Sequence, residues 1–353
     1  MILKRVQLHN FRNIPSKVFD ISSHLTIVVG ENAKGKTNIL ESIHCIINGV
    51  GFRESKEEEL LLFDEPEAQL DGIFDKNKTQ YHFRILLRKD AVGKVLKHFF
   101  IQKVRKGSAL YRGEQTKSVL FAPEQIEIIT ASPDVRREYF NVLISTFDLA
   151  YKKHLVNYEQ ALRKRNKILE HVFDSKNLTE ELSFWDIYLL KEAEYITKKR
   201  TEYVQFLSTH PHLDGKDFSI EYIANEFTLE RLQEKKELEL RVHRTLIGPQ
   251  KDDWILSLKN KNSDSKNIQK YGSRSEQRLG IFWMKMNEIH YIEEKIGVHP
   301  ILLLDDVFSE FDHENKERII RLIENYQTVM TTTEEGLVKD IEKKYKNSII
   351  LHI

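Results

Sequence analysis

An α/β fold with an antiparallel β-region and an inserted α-helical arm is predicted by three features of this 353-residue chain. Leu25-Thr26-Ile27-Val28-Val29 is a short apolar, β-branched run that stops at Gly30, and a helical pattern begins at Thr37. Ile301-Leu302-Leu303-Leu304, bounded by Pro300 and Asp305, is a second fully apolar run, as a parallel strand buried on both faces requires. Between them, from about 134 to 206, glycine and proline almost vanish while apolar residues recur at steps of three and four, the mark of long helices.

In chain order, residues 2–8 alternate apolar and polar side chains and read as a strand. After Thr37, Ile39, Leu40, Ile43, Ile46 and Ile47 place one apolar stripe on a helix that ends near Asn48-Gly49. Residues 51–120 hold alternating stretches at 81–87 and 98–104 with Gly/Lys turns, as in an antiparallel sheet. In the arm, Tyr151, Leu155, Tyr158, Leu162, Leu169 and Val172 form the stripe of the outgoing helix, interrupted by Arg165; Leu182, Trp185, Leu189 and Ile196 form that of the return helix. Residues 173–180 connect them, with Thr179 as the expected N-cap and Glu180 and Glu181 at the positive end of the helix dipole. At 1.5 Å per residue each helix reaches only about 35–45 Å. His210-Pro211-His212 and Gly215 mark a return to mixed structure, 259–266 reads as a polar turn, and a helix over 314–326 with a strand near Val329 completes the expected set. The expected domains are an N-terminal lobe (1–120), the inserted arm (121–210) and a C-terminal lobe (211–353).

Lys and Arg number 55 against 54 Asp and Glu, so no global field draws the chain to nucleic acid or membrane, and a polyanion must meet a local patch. At 40% hydrophobic and 31% charged, the composition is that of a folded protein. No apolar run nears the roughly 18 residues of a spanning helix, and Met1-Ile2-Leu3-Lys4-Arg5 turns polar too soon for a signal peptide. A cytoplasmic protein without a membrane partner is expected. The single cysteine, Cys45, excludes an internal disulfide and a thiolate zinc cluster and is expected in the core.

Gly30-Glu31-Asn32-Ala33-Lys34-Gly35-Lys36-Thr37 fits the phosphate-binding loop GxxxxGK[ST], in the strand-to-helix setting that it needs. In such a loop backbone N–H groups and the helix N-terminus hold phosphates, Lys36 neutralises β/γ charge, and the Thr37 hydroxyl is a ligand for Mg²⁺. An acidic metal anchor belongs at the end of a neighbouring buried strand, and Asp305 supplies it; Asp306, one residue on, can polarise the attacking water. Lys36, Asp305 and Asp306 are the expected catalytic set, with ATP and Mg²⁺ as cofactors. A strand-end turn with capping carboxylates is the plain alternative for the acidic pair. Too many residues separate Lys36 from Asp305 for a nucleotide-kinase core, so an insertion must divide the two halves of one sheet.

Two further segments narrow the class. Ser273-Arg274-Ser275-Glu276-Gln277-Arg278, ahead of a helical run at 279–289, looks like a degenerate ABC signature, and Val307-Phe308-Ser309-Glu310-Phe311-Asp312 like a D-loop. In this order and spacing the chain resembles the ABC-type ATPase heads of the SMC and RecF group. SMC members carry long coiled coils in the insertion, whereas this arm is short, as in the RecF family. Leu8-His9-Asn10-Phe11-Arg12-Asn13 resembles that family's opening LxxFRN, residues 35–43 its GKTNxLEAI, and residues 49–61, with Phe52-Arg53, its segment after the P-loop helix. Residues 121–137 resemble its FxPEDL…GxPxxRR block, residues 151–166 its LxxYxxxLxxRN helix, and Leu246-Ile247-Gly248-Pro249-Gln250-Lys251-Asp252-Asp253 its GPHRDD element.

The resemblance implies an ATP-dependent homodimer. Nucleotide would be bound by Arg12, Asn13, Gly30, Glu31, Asn32, Ala33, Lys34, Gly35, Lys36, Thr37 and Asn38 of one subunit, with Thr37 and Asp305 on the metal, and by Ser273 and Gln277 of the other. It further implies slow, DNA-stimulated ATP hydrolysis used as a switch, binding to double-stranded DNA at gaps or single-strand junctions, and action with RecR, and with RecO and RecA downstream, in loading RecA on single-stranded DNA. The departures are Ser275, which puts a Cβ where the signature has glycine and the backbone must approach the γ-phosphate, Ala131-Ser132-Pro133, which lacks a glycine, and Phe311 in place of the D-loop leucine. Thr331-Thr332-Thr333 stands where ABC relatives often have a switch histidine and reads equally as β-propensity at a strand end.

A DNA surface must be local. Lys152, Lys153, Arg163, Lys164, Arg165 and Lys167, against Glu159 and Glu170, give the outgoing arm helix an excess of positive charge suited to phosphate contact without base readout; a solvated helix face is the plain alternative. Lys103, Arg105 and Lys106 form a second basic cluster, and Arg136-Arg137 suit internal salt bridges as well as DNA. Two other functions stay open, another ABC-type P-loop ATPase and an ATP-binding interaction protein that does not hydrolyse.

Overall fold

The computed structural model describes residues 1–353 apart from 55, 114–116, 172–177, 211, 214, 260–264 and 310–312, and leaves out the side chains of 178, 179, 309, 313–315, 337 and 340 as well. Val172, most of the arm loop, the Thr179 cap, Pro211, most of the 259–266 turn and the D-loop residues 310–312 therefore lie outside the described residues. The chain divides into two compact units, residues 1–124 with 288–353, and residues 125–287. The boundary expected near 120 lies close to Glu124, but residues 211–287, expected in the C-terminal lobe, cluster with the arm helices.

The first unit holds two sheets. One is antiparallel, in the order Ile14–Asp20, Ile2–Phe11, Glu67–Lys76, Thr79–Lys89, Val95–Ile101, Val104–Lys106. The other is parallel, in the order Ile349–His352, Leu25–Val29, Thr328–Thr332, Ile301–Asp305, Ser118–Phe121. Leu25–Val29, Thr328–Thr332 and Ile301–Asp305 are buried at every residue, as central parallel strands covered on both faces are, the first and last as apolar runs and the middle one with three threonines.

Helix Lys36–Asn48 packs its stripe of Ile39, Leu40, Ile43, Ile46 and Ile47 into one core with Leu3, Val6 and Leu8 of the antiparallel sheet and Val28, Leu303 and Val329 of the parallel one. It approaches Glu67–Lys76 so closely that a Cβ on Gly72 would stand 2.7 Å from Ile46 Cγ2. Gly49 ends the helix in the left-handed conformation (φ 76°) and donates its N–H to the Cys45 carbonyl. Cys45 is fully buried, and burial pushes its thiol up to about 12.

Three elements go beyond the sequence reading. Strand Ile14–Asp20 is an edge strand with mostly exposed side chains, so it lacks an apolar signal. The chain does not finish at the strand near Val329; helix Glu335–Lys344 and the half-buried edge strand Ile349–His352 follow. The stretch expected at 98–104 is two strands, because the chain turns at Gln102 in the left-handed region (φ 56°).

The second unit combines helices Pro133–Phe147, Leu149–Glu170, Leu178–Ser208 and Leu229–Val242 with an antiparallel sheet ordered Ser265–Asn267, Asp253–Lys259, Lys216–Ile223, His212–Leu213. The arm helices have 22 and 31 residues, or about 33 and 46 Å. Tyr151, Tyr158 and Leu169 of the first and Leu189, Ile196 and Tyr203 of the second are buried. Arg165, which breaks the apolar stripe, is 3% exposed. Its guanidinium donates to Asp186 (2.6 Å) and Thr245 (2.8 Å) and pairs with the buried Glu239 (2.8 Å). Arg165 is thus withdrawn from the basic surface expected of this helix; a core position tolerates it because two carboxylates neutralise it.

The segment 246–253 is an internal clip. Asp252, 1% exposed, accepts from Arg200 (2.6 Å), the Asn225 N–H (2.7 Å) and the Tyr222 hydroxyl. Asp253 accepts two bonds from Arg136 at 2.6 and 2.9 Å, and Arg137 donates to the Asp252 carbonyl at 2.7 Å. The Arg136-Arg137 pair makes salt bridges inside this unit. Replacing Arg200 with Met strands the Asp252 carboxylate in the interior, at a cost of about 3–5 kcal/mol, so chemical denaturation should show a large fall in midpoint, whereas Lys153→Met on the arm surface leaves it within error.

Candidate nucleotide-binding site

The loop after strand Leu25–Val29 is shaped by backbone conformations that side chains rarely adopt. Ala33 (φ 64°) and Gly35 (φ 100°) lie in the left-handed region, and a Cβ on Gly35 would stand 2.8 Å from Asn13 Oδ1. Gly35 is the N-cap of helix Lys36–Asn48, and no side chain caps it. The first-turn N–H groups, which have no intrahelical acceptor, therefore face the loop with the positive end of the helix dipole. Lys36 is 7% exposed, and its ammonium donates to the Gly30 and Glu31 carbonyls, both at 2.8 Å.

Asp305 ends the buried strand Ile301–Asp305, which is separated from Leu25–Val29 in the sheet by Thr328–Thr332. Its Oδ1 accepts from the Thr37 hydroxyl at 3.1 Å and the Thr331 hydroxyl at 2.7 Å. Burial raises its pKa, against the opposing effect of those two bonds. Asp306, in the left-handed region (φ 47°), donates its N–H to Thr331 Oγ1 at 2.9 Å. Thr331, which in sequence reads equally as a switch position and as a strand-end residue, ties both acidic residues to the adjacent strand. Thr37 and Asp305 together offer the hard oxygen donors that Mg²⁺ prefers. Among the described residues no three His, Cys, Asp or Glu side chains converge on a metal position, and this donor set fits an ion that takes its remaining ligands from phosphate and water.

Beside the loop lies a cleft of about 920 Å³ lined by Arg12, Asn13, Asn38, Arg53 and the turn Leu61 to Asp64, with Phe63 87% exposed. Its wall is set by Glu41, which is fully buried and takes two bonds from Arg12 (2.8 and 2.9 Å) and one from the Arg53 N–H (3.1 Å). Burial opposes ionisation of Glu41, but Arg12 and Arg53 outweigh it and hold its pKa below the ordinary value. Asn38 donates to Asn13 at 2.7 Å and accepts from Arg53. Arg12 thus stands at the site with two of its three nitrogens committed to Glu41. Glu41 is a further residue of this site, one that carries no charge-pattern signal because its partners are remote in sequence.

In the second unit, Ser273 is exposed at the start of helix Arg274–Ile296, as are Arg274 and Ser275. Gln277 is not: it is 7% exposed and donates to the Ile268 carbonyl at 3.1 Å, so its expected place on nucleotide gives way to a role inside its own unit. On the arm, Lys153, Arg163, Lys164 and Lys167 are exposed and Lys152 is half-buried. Among the described residues no helix is long and apolar enough to cross a membrane.

Strand, glycine loop, helix and buried acidic strand end, on a parallel sheet with an antiparallel partner, define an ABC-type ATPase head. An AAA domain matches residues 5–350. The SMC head domain of Pyrococcus furiosus shares the fold, at 15% identity and a TM-score of 0.51 over 96% of this chain and 91% of that one. At the level of family, the DNA replication and repair protein RecF of Agathobacter rectalis is 30% identical over 365 residues, 100% of this chain and 97% of that protein. A solved structure of the recombination mediator RecF with ATP, from the RecFOR pathway, superposes with a TM-score of 0.84 at 27% identity, over 95% of this chain and 92% of that one. The chain belongs to the RecF family of DNA replication and repair proteins.

Two substitutions test the site geometry. Gly35→Ala forces a side chain into the left-handed region against Asn13, and should weaken ATP binding at least tenfold by calorimetry while the circular dichroism spectrum stays that of the wild type. Glu41→Gln removes the anion that holds Arg12 and Arg53. Because the folded pKa of Glu41 lies below its unfolded value, its stabilisation is full above the unfolded pKa and lost as pH falls through the folded one. The variant should be less stable at neutral pH by about 1.5–3 kcal/mol, and the difference should shrink in acid denaturation profiles.

Proposed function

We propose that this chain is an ATP-switched DNA-binding protein that works as a dimer with nucleotide between its subunits. The observation that carries the reading is the Thr37–Asp305 hydrogen bond of 3.1 Å beside a Lys36 ammonium held across the loop. In this reading the loop N–H groups and Lys36 hold the β- and γ-phosphates, and Asn13 and Asn38 border the cleft that takes the nucleoside. Thr37 and Asp305 would hold Mg²⁺, which would supply neutralisation of the phosphate charge. Asp306 orients and polarises the attacking water, and Ser273 of the second subunit closes the γ-phosphate site. Hydrolysis is slow and DNA-stimulated, and its role is to release a binding state.

The relatives' names, in DNA replication and repair and in the RecFOR pathway, support DNA as the target and RecR and RecO as partners; double-stranded DNA at gaps or junctions as the site of action and the loading of RecA on single strands as the outcome belong to the same proposal. The exposed Lys153, Arg163, Lys164 and Lys167 of the arm are the proposed phosphate contacts.

Sedimentation with ATP and Mg²⁺, with and without a short gapped duplex, tests this. The wild type should dimerise only with ATP and hold DNA more tightly in that state. Lys36→Met should lose ATP binding and stay monomeric, and Ser273→Arg should bind ATP yet stay monomeric. A wild type that stays monomeric with ATP bound sinks the sandwich. Replacing Arg163 and Lys164 by Gln should weaken duplex binding regardless of sequence and lower the salt slope by about one for each lost contact.

A further inference from the structure

The start of helix Arg274–Ile296 is closed by its own side chains. The Glu276 carboxylate accepts from the Ser273 N–H at 2.6 Å, and Ser273 Oγ accepts from the Glu276 N–H at 3.3 Å. This is the reciprocal pairing of a capping box. The same carboxylate takes Lys266 Nζ on both oxygens, at 2.8 and 3.1 Å, and both partners are about a third exposed or less. Burial opposes ionisation of Glu276, but the bonds from Lys266 and Ser273 outweigh it, so the group is an anion at neutral pH. Of the two groups with which Ser273 can meet a phosphate, the N–H is thus held by the Glu276 carboxylate, while the hydroxyl oxygen accepts from the Glu276 N–H beside that charge and keeps its own O–H to donate. A second anion brought to Ser273 meets that charge within a few ångströms.

We propose that Glu276 and Lys266 form a charge gate on ATP-dependent pairing: the carboxylate occupies the Ser273 N–H that a partner subunit's γ-phosphate requires, and Lys266 is the cation onto which it withdraws. The inference rests on the sandwich reading given above. Glu276 is a positioning residue, since it acts through Ser273, and pairing with nucleotide triphosphate is coupled to its release from the cap. Pairing strength is then set by the balance of one carboxylate and one ammonium at this helix start, and the two should act in opposite directions.

The test compares Glu276→Gln and Lys266→Gln with the wild type by sedimentation in ATP with Mg²⁺, alongside ADP and thermal melts. In the Glu276→Gln variant the side-chain amide oxygen can still accept from the Ser273 N–H, so the cap survives without its charge, and Lys266 is released for phosphate. Glu276→Gln should dimerise with ATP at about tenfold lower protein concentration than the wild type, and Lys266→Gln at about tenfold higher, with melting temperatures close to wild type and no change in ADP. A purely structural cap would weaken pairing and stability in both variants, and that result overturns the gate. Equal dimerisation of all three with ATP also overturns it and leaves the sandwich standing. If the wild type stays monomeric and Glu276→Gln dimerises, the gate is supported directly. If neither dimerises with ATP bound, the sandwich fails and the gate with it.

Discussion

The first unit depends on one constraint, the burial of helix Lys36–Asn48 between two sheets of different type. Its apolar stripe meets both the antiparallel sheet and the central parallel strands, so neither sheet can shift without moving the helix start. That start carries Gly35, Lys36 and Thr37, while the adjacent parallel strands carry Asp305 and Thr331. The residues proposed to hold phosphate and metal are therefore placed by core packing, the least compressible part of the molecule. Arg12 and Arg53 reach the same place from loops, and it is the buried Glu41 on that helix that orders them.

Much of this was legible in the sequence because buried strands and a glycine loop write strong local signals. The runs at Leu25 and Ile301 became central strands, and the spacing after Thr37 became the helix with its apolar face inward. What could not be read is what depends on remote partners. Arg12 and Glu41 lie far apart in sequence, and nothing local distinguishes their pairing from two surface charges. Arg165 stood in a basic run and looked like part of a cationic face, yet the partners that bury it come from two other helices, Asp186 on the return helix and Glu239 on Leu229–Val242. The edge strand Ile14–Asp20 was missed for the opposite reason, since an edge with mostly exposed side chains needs no apolar alternation.

Motif residues also divided by purpose in a way that spacing alone does not reveal. The acidic and basic doublets at 252–253 and 136–137 bind each other's segments and fix the second unit. Gln277, one helical turn after the exposed Ser273, likewise bonds within its own unit. Charged residues recurring in a recognisable pattern are thus as much a record of how a fold holds itself as of what it binds. The Ser273-x-x-Glu276 spacing is a helix cap in the structure and, in the proposed function, the place of a phosphate contact.

Cys45 sits on the nucleotide helix, four residues before its glycine cap, and is fully buried with a thiol that stays protonated at neutral pH. It is also the sole cysteine of the chain. An alkylating reagent can reach it only when this helix leaves its bed between the sheets, so the rate of thiol modification counts those openings one by one. The molecule thereby carries an intrinsic clock for the motion of the helix that follows its glycine loop, and a ligand that grips the helix start slows that clock in proportion to how firmly it holds.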